Sequence, residues 1–112
     1  MQIDIEMMDE TMVVRPSGEL DLAVADSLRG TLEEALDGQP VRNLVFNLAR
    51  VTFIDSSGLG VLLGRYKRVS RNGGHVYIVG AQPQVRRIIE LSGLFRIMGE
   101  YPSEVEALDK IG

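Results

Sequence analysis

Cysteine and tryptophan are absent from this 112-residue sequence, and histidine occurs only once. The lack of cysteine excludes disulfides and thiolate metal sites, and it is compatible with a reducing compartment. With three phenylalanines and three tyrosines, the chain has few rings on which nucleic-acid bases could stack. Its net charge of −4 also disfavours a nucleic-acid-binding surface. We therefore expect no nucleic-acid partner.

Long apolar runs are missing as well. No run approaches the ~18 residues of a membrane span, and the first six residues lack the basic and apolar regions of an export signal. We therefore expect no membrane span and a cytoplasmic location. The single histidine, His75, lies in a predicted strand, so no Ser-His-Asp set can be assembled. No dinucleotide or phosphate-loop motif is present, and we expect neither catalysis nor a cofactor or resident metal.

The length fits one domain over residues 1–112. Alternating apolar residues predict strands, and apolar residues three and four apart predict helices. Strands are predicted at 3–7, 12–17, 42–48, 75–79 and 95–98, and helices at 23–36, 59–69, 83–92 and after Ser103. This order predicts an α/β fold with a mixed, mostly parallel sheet of four to five strands and about four helices packed against it.

Several details of that layout are open to test. Segment 42–48 is apolar apart from Asn43 and Asn47, which is typical of a central strand. Pro16 favours a strand end or a sheet edge. Residues 18–21 are predicted as a loop, and Leu94 and Phe95 are predicted to enter the core. The basic residues of the second helix are predicted on its outer side: Arg65, Lys67, Arg68 and Arg71.

The stretch 51–60 stands out as a predicted turn between the central strand and the second helix. It places Asp55, Ser56 and Ser57 at a helix N-terminus, where free amides and the positive end of the dipole accept oxygen ligands. Any one of these residues is explained by capping alone. Gly58 and Gly60, however, each cost the helix about 1 kcal/mol relative to alanine. They indicate close approach of either another backbone segment or a partner protein.

Asp21 follows another predicted strand and is expected near this turn, because functional sites gather at the carboxyl ends of parallel strands. An alternative is a receiver-type phospho-acceptor domain, with Asp55 as the acceptor and Mg²⁺ held by further acidic residues. Asp9 and Glu10 are the adjacent acidic pair, but they lie in a predicted hairpin turn. That alternative also leaves the paired serines unexplained.

The chain resembles the STAS-domain anti-sigma factor antagonists, and among them the sporulation antagonists of the anti-sigma F factor (the SpoIIAA family). The resemblance covers nearly the whole chain. It depends on five segments: Gly18-Glu19-Leu20-Asp21, Asn47-Leu48 with Phe53 to Gly60, Gly64-Arg65-Tyr66-Lys67, Gly73-Gly74 and Ser92-Gly93-Leu94-Phe95. It implies the STAS fold.

The resemblance also implies a switch that controls sigma factor activity. The unmodified protein would bind an anti-sigma factor that is an ATP-dependent serine kinase, and binding would free the sigma factor. Phosphorylation of Ser57 would end binding, and a metal-dependent serine phosphatase would restore it. The implied partner-binding residues are Asp21, Asp55, Ser56, Ser57, Gly58 and Leu59. A general-stress antagonist and a non-switching docking scaffold of the same fold remain alternatives. The chain departs from the resemblance after Asp21: it carries Leu22-Ala23-Val24-Ala25, where the best-known sporulation antagonists have polar or histidine residues.

Overall fold

A computed structural model of the chain describes residues 1–111. In this range the chain forms six strands, four α-helices and one short 3-10 helix. The strands are β1 (Gln2–Met8), β2 (Thr11–Leu20), β3 (Asn43–Asn47), β4 (Val51–Ile54), β5 (His75–Val79) and β6 (Gly99–Tyr101). The helices are α1 (Leu22–Asp37), α2 (Ser56–Arg71), α3 (Pro83–Ser92) and α4 (Glu104–Ile111), with the 3-10 helix at Leu94–Arg96.

The strands form a mixed, mostly parallel sheet, as predicted. Its order is β1-β2-β3-β5-β6, and β4 pairs with β2 beyond the end of β3. The β1–β2 pair is antiparallel, whereas all other pairs are parallel. β3 occupies the middle of the sheet, which confirms the central-strand prediction. The sheet has six strands instead of four to five because β4 was not predicted as a strand.

The region where β2 changes neighbours differs most from the sequence prediction. The predicted loop at 18–21 is wrong, since β2 continues to Leu20. Its first part pairs with β3 up to Val14, and its last part pairs with β4 from Gly18, whose φ of 100° accompanies a register shift. Pro16 lies inside the strand, not at its end or at a sheet edge. It lies between the segment that pairs with β3 and the segment that pairs with β4. Its missing N–H therefore removes no hydrogen bond to either parallel strand.

Two further predictions need correction. No strand forms at 95–98, because Gly93 in the left-handed conformation turns the chain into the 3-10 helix, and the last strand begins at Gly99. Arg65 does not decorate the outer side of α2: it is only 7% exposed. Its Nε lies 3.0 Å from the Glu33 carboxylate of α1, so a buried arginine of α2 pairs with a partly exposed glutamate of α1. Burial lowers the pKa of Arg65, although Glu33 opposes that shift.

The sheet separates two hydrophobic clusters. Helices α1, α2 and α3 cover one face, where the main core includes Leu28, Phe46, Leu62, Ile78 and Ile89. Leu94 enters this core, and Phe95 packs against it from a partly buried position, as predicted. On the other face, α4 places Ala107 over three strand valines to form a smaller cluster: Val13, Val45 and Val79. The parallel strands therefore have both faces covered, and their carboxyl ends lie at one edge of the sheet.

Candidate functional site

Two helices begin side by side at this carboxyl edge. Leu20, the last residue of β2, pairs with Ile54, the last residue of β4, so Asp21 and Asp55 follow neighbouring strand ends. Each aspartate is the N-cap of the next helix and has an extended backbone. The sheet register thus brings the α1 and α2 N-termini together, as the expected approach of Asp21 to the serine turn requires.

Asp55 ties both helix starts to one carboxylate. Its Oδ1 accepts hydrogen bonds from the backbone N–H groups of Ser57 at 2.9 Å and Gly58 at 3.1 Å. Its Oδ2 accepts from the backbone N–H of Leu22, the first residue of α1, at 3.2 Å. A single side chain therefore satisfies otherwise unpaired donors of two helices. Its own N–H donates to the Leu20 carbonyl at 3.2 Å, which holds the turn against β2.

Asp21 makes no comparable bond. It provides no side-chain cap to α1, and its Oδ1 is buried without a hydrogen-bond partner. A buried carboxylate oxygen without a donor costs folding free energy. Such a group is unusual in a stable fold, because neither the protein nor solvent compensates for the burial of this oxygen.

The two serines occupy the first positions of α2. Ser56 is exposed and Ser57 is partly buried. Among residues 1–111, neither hydroxyl hydrogen-bonds to another protein group, in contrast to Ser70 and Ser92, whose hydroxyls bond to helix carbonyls. The tandem hydroxyls thus take no part in capping, because Asp55 already fills that role.

The two glycines of the turn have different explanations. A Cβ on Gly58 would lie 2.3 Å from the Leu20 carbonyl oxygen and 2.8 Å from Cγ1 of Ile54, so the internal contact between α2 and β2 requires glycine. A Cβ on Gly60 would meet nothing within 4 Å, and Gly60 is exposed. Internal packing therefore accounts for Gly58 and leaves Gly60 unexplained. Leu59, between them, is partly buried and packs against the main core.

Sequence reasoning missed two apolar side chains beside the site. Leu22, whose N–H bonds to Asp55, has 76% of its surface exposed, and Phe53, two residues before Asp55, has 45%. The sequence pattern alone places Phe53 in a turn and Leu22 before a helix, where neither exposure could be anticipated. Both residues are close to the two aspartates in sequence, Leu22 directly after Asp21 and Phe53 two residues before Asp55.

Within residues 1–111, the acidic pair Asp9-Glu10 and the single histidine do not lie at the carboxyl edge of the sheet with the serines. Asp9 and Glu10 lie in the β1–β2 turn, before the start of β2, whereas Asp55 lies at the carboxyl ends of the parallel strands. The receiver-type arrangement is therefore not assembled, and residues 1–111 contain no cluster of three potential metal ligands. His75 begins β5 and so lies at the amino edge, away from the serines. None of the helices in this range is long and apolar enough to cross a membrane.

Comparison with known proteins identifies the family to which the fold belongs. The STAS domain model matches residues 2–107. An anti-sigma F factor antagonist of Paenibacillus polymyxa is 40% identical over 111 residues, covering 99% of this chain and 95% of the relative. An anti-sigma-B factor antagonist of Staphylococcus aureus is 31% identical over 99 residues, covering 88% of this chain and 90% of the relative.

Solved structures agree with these sequence matches. The antagonist SpoIIAA in its unphosphorylated form superposes with a TM-score of 0.85 at 32% identity, covering 98% of this chain and 96% of SpoIIAA. The phosphorylated form of Bacillus SpoIIAA gives a TM-score of 0.78 at 31% identity, covering 99% and 100%. The observed architecture, the domain match and the full-length relatives agree, and this chain belongs to the STAS-domain family of anti-sigma factor antagonists.

Proposed function

We propose that this protein is an anti-sigma factor antagonist: its unmodified form binds an anti-sigma factor and so releases a sigma factor. The observation that carries the proposal is the paired start of α1 and α2, where Asp55 holds both helices and leaves the two serine hydroxyls and one Asp21 oxygen without partners. Full-length relatives named as anti-sigma factor antagonists support it.

The partner-binding surface in this proposal comprises Asp21, Asp55, Ser56, Ser57, Gly58 and Leu59, extended by Leu22 and Phe53. The exposed apolar pair supplies area whose burial favours association, at roughly 25 cal/mol per Å². Asp21 supplies a negative charge beside Asp55, which a basic group of the partner would complement. The exposed Gly60 lets a partner backbone approach the first turn of α2 closely.

Phosphorylation of the serine pair turns binding off in this proposal. The resemblance to sporulation antagonists assigns the phosphate to Ser57, whereas the greater exposure of the neighbouring hydroxyl favours Ser56 as the second candidate. Either phosphate adds a charge of about −1.5 to −2 at the positive end of α2, which the helix tolerates. The dianion would lie beside Asp55 and Asp21, and it would oppose a docked partner through bulk, desolvation and repulsion of acidic groups.

The kinase in this proposal is the anti-sigma factor itself, acting with ATP, and a metal-dependent serine phosphatase reverses the modification. Both reactions belong to the partners, so the chain needs no catalytic constellation of its own. The proposed setting is the cytoplasm, where sigma factors bind RNA polymerase. The higher identity to an anti-sigma F antagonist than to an anti-sigma-B antagonist favours the sporulation pathway over general stress.

The test is intact mass and peptide mapping after incubation with the cognate anti-sigma kinase and ATP. Wild type is compared with Ser57→Ala, Ser56→Ala and the double variant, and binding to the anti-sigma factor is measured before and after modification. One phosphate that disappears in Ser57→Ala, with loss of binding on modification, is the expected result. Loss in Ser56→Ala instead moves the acceptor by one residue and leaves the switch intact.

Absence of any phosphate, combined with binding to a partner, would replace the switch with the docking scaffold. A phosphorylated protein that binds the kinase as tightly as the unmodified one would also overturn the switch.

A further inference from the structure

The C-terminal helix α4 is held to the sheet by few apolar contacts. It spans eight residues, Ala107 is its one fully buried residue, and Val105 is 77% exposed. Isolated helices of this length are unstable in water, so docking must supply the stability of α4. Leu108 and Ile111 add partly buried area against the small cluster on this face of the sheet.

A polar cluster, comprising Glu104, Arg15 and Asn47, supplies the remaining attachment. The Glu104 carboxylate accepts two hydrogen bonds from Arg15 of β2: Nε at 2.7 Å and Nη2 at 2.9 Å. It also accepts a third from the Asn47 side-chain amide of β3 at 2.5 Å. The Glu104 side chain is 19% exposed, and the bonds from Arg15, followed by that from Asn47, lower its pKa despite partial burial. One carboxylate of α4 therefore joins two neighbouring strands.

The Asn47 side chain connects Glu104 to the turn at 48–50, which precedes β4 and the serines. Its side-chain oxygen accepts from the Ala49 backbone N–H at 3.0 Å, while its amide group donates to Glu104. Gly80 allows this approach, because a Cβ there would lie 3.3 Å from the Asn47 oxygen. The amide orientation of Asn47 is thereby determined on one side by α4 and on the other by the turn at 48–50.

Three further hydrogen bonds hold the turn at 48–50, which is followed by β4. The Ala49 carbonyl accepts from Gln82 Nε2 at 2.9 Å, and the Arg50 carbonyl accepts from the Gly18 N–H at 3.0 Å. Val51 N–H returns to the Leu48 carbonyl at 3.1 Å. Four residues of β4 then lead to Asp55. The chain from Glu104 to Asp55 is thus a continuous set of hydrogen bonds and one short, paired strand.

We propose that Glu104 and Asn47 are positioning residues for the serine site: docking of α4 through Glu104 orients Asn47, which places the 48–50 turn, β4 and therefore Asp55. Undocking α4 would loosen this segment and change the bonds that Asp55 makes to Leu22, Ser57 and Gly58. The importance of the serine site for function rests on the proposed function. The positioning of Asp55 does not, because it is tested on the free protein.

The backbone amide signals of Leu22, Ser57 and Gly58 in ¹H–¹⁵N NMR spectra report the Asp55 bonds directly. We would record them for wild type, Glu104→Gln, Asn47→Ala and Glu106→Gln. Glu104→Gln keeps the size of the side chain and removes its charge. Asn47→Ala removes the link and leaves the Arg15–Glu104 pair in place. Glu106→Gln makes the same chemical change at an exposed position of the same helix and serves as the matched control.

We expect Glu104→Gln to raise the amide exchange rates in α4 at least about tenfold and to shift the three reporter signals, those of Leu22, Ser57 and Gly58. Asn47→Ala should shift the same three signals while the amides of α4 stay protected. Glu106→Gln should leave the reporters in place. Reporters unmoved by both test variants would overturn the proposal, and reporters moved by Asn47→Ala alone would remove Glu104 from it. If Glu104→Gln does not fold, Asn47→Ala alone decides whether the turn positions Asp55. No outcome depends on phosphorylation, so failure of the proposed function would be seen separately.

Discussion

The first turns of α1 and α2 look alike in sequence and behave differently in the structure. Each follows a strand, and each has an aspartate N-cap with nearly the same backbone angles, φ −120° and ψ −176° at Asp21 and φ −114° and ψ −172° at Asp55. Asp55 caps α2 and also accepts from the first N–H of α1, whereas the Asp21 carboxylate caps nothing. One aspartate therefore bonds to both helix starts, and the other bonds to neither.

Replacing Asp55 should produce the largest effect. We expect Asp55→Ala to lower the free energy of unfolding by about 2 kcal/mol, because the α2 cap and the bond to Leu22 are lost together. Urea unfolding measures the loss, and amide exchange locates it. The amides of Leu22 and Ser57 should both lose protection. Loss confined to α2 would show that Asp55 serves one helix only and would remove the contrast with Asp21.

The two glycines of α2 provide a second contrast. We expect Gly58→Ala to destabilise the protein by about 1–3 kcal/mol, since its Cβ would collide with the Leu20 carbonyl oxygen. Gly60→Ala should instead stabilise it by up to about 1 kcal/mol through helix propensity, because the added methyl group meets nothing. Thermal or urea unfolding of both variants tests this. Equal destabilisation by both would mean that the close contact at Gly58 is not the reason for glycine there.

Asp21 should matter for binding and hardly at all for folding. We expect Asp21→Ala not to lower the free energy of unfolding, since no bond is lost and a buried oxygen without a partner is removed. Affinity for the anti-sigma factor should fall at least about tenfold, in line with the loss of a charged hydrogen bond. Glu34→Ala, an exposed substitution on the same helix, is the control for calorimetric titration. Marked destabilisation with unchanged affinity would reverse the assignment.

The Glu104 carboxylate, in contrast to that of Asp21, is fully bonded, and its contribution to folding stability should depend on pH. The bonds from Arg15 lower the pKa of Glu104 in the folded state below its unfolded value. Its contribution to stability is therefore fully present above the unfolded pKa and is lost as the pH falls through the folded pKa. Asp4 and Glu6 share the same Arg15, so wild type must be compared with Glu104→Gln. The stability difference between them should shrink between pH 7 and about pH 3, and a constant difference would contradict this role of Glu104.

Local patterns were reliable wherever one element determines its own conformation. The short apolar run in His75–Val79 predicted a strand, and Pro83 and Gly93 predicted the start and end of helix Pro83–Ser92, all with the observed bounds. The helix predicted after Ser103 begins at Glu104, and the Ser103 hydroxyl caps it by accepting from the Glu106 N–H at 3.3 Å. In each case the signal and the structure lie within a few neighbouring residues, so no distant contact was needed.

Long-range contacts explain the misses. Val51–Ile54 has buried ends and exposed middle residues, so it lacks the alternation that predicts a strand. It forms a strand because β2 has a free edge after Gly18 with which it pairs. Arg65 has the appearance of an outer residue in the helical pattern and is buried because α1 brings Glu33 to it. Neither outcome can be read from the segment itself, since the deciding atoms are more than thirty residues away in the chain.

The sequence by itself determined the α/β class, the order of the four helices and of β1, β2, β3 and β5, and the turn in which a carboxylate and two hydroxyls meet a helix start. Periodicity and capping chemistry act between neighbours, and that is sufficient for these features. The tertiary structure alone decided that Asp55 serves two helices, that Asp21 stays unpartnered, and that Leu22 and Phe53 remain exposed beside them. Those properties depend on the β2–β4 register, which brings together residues that the chain separates.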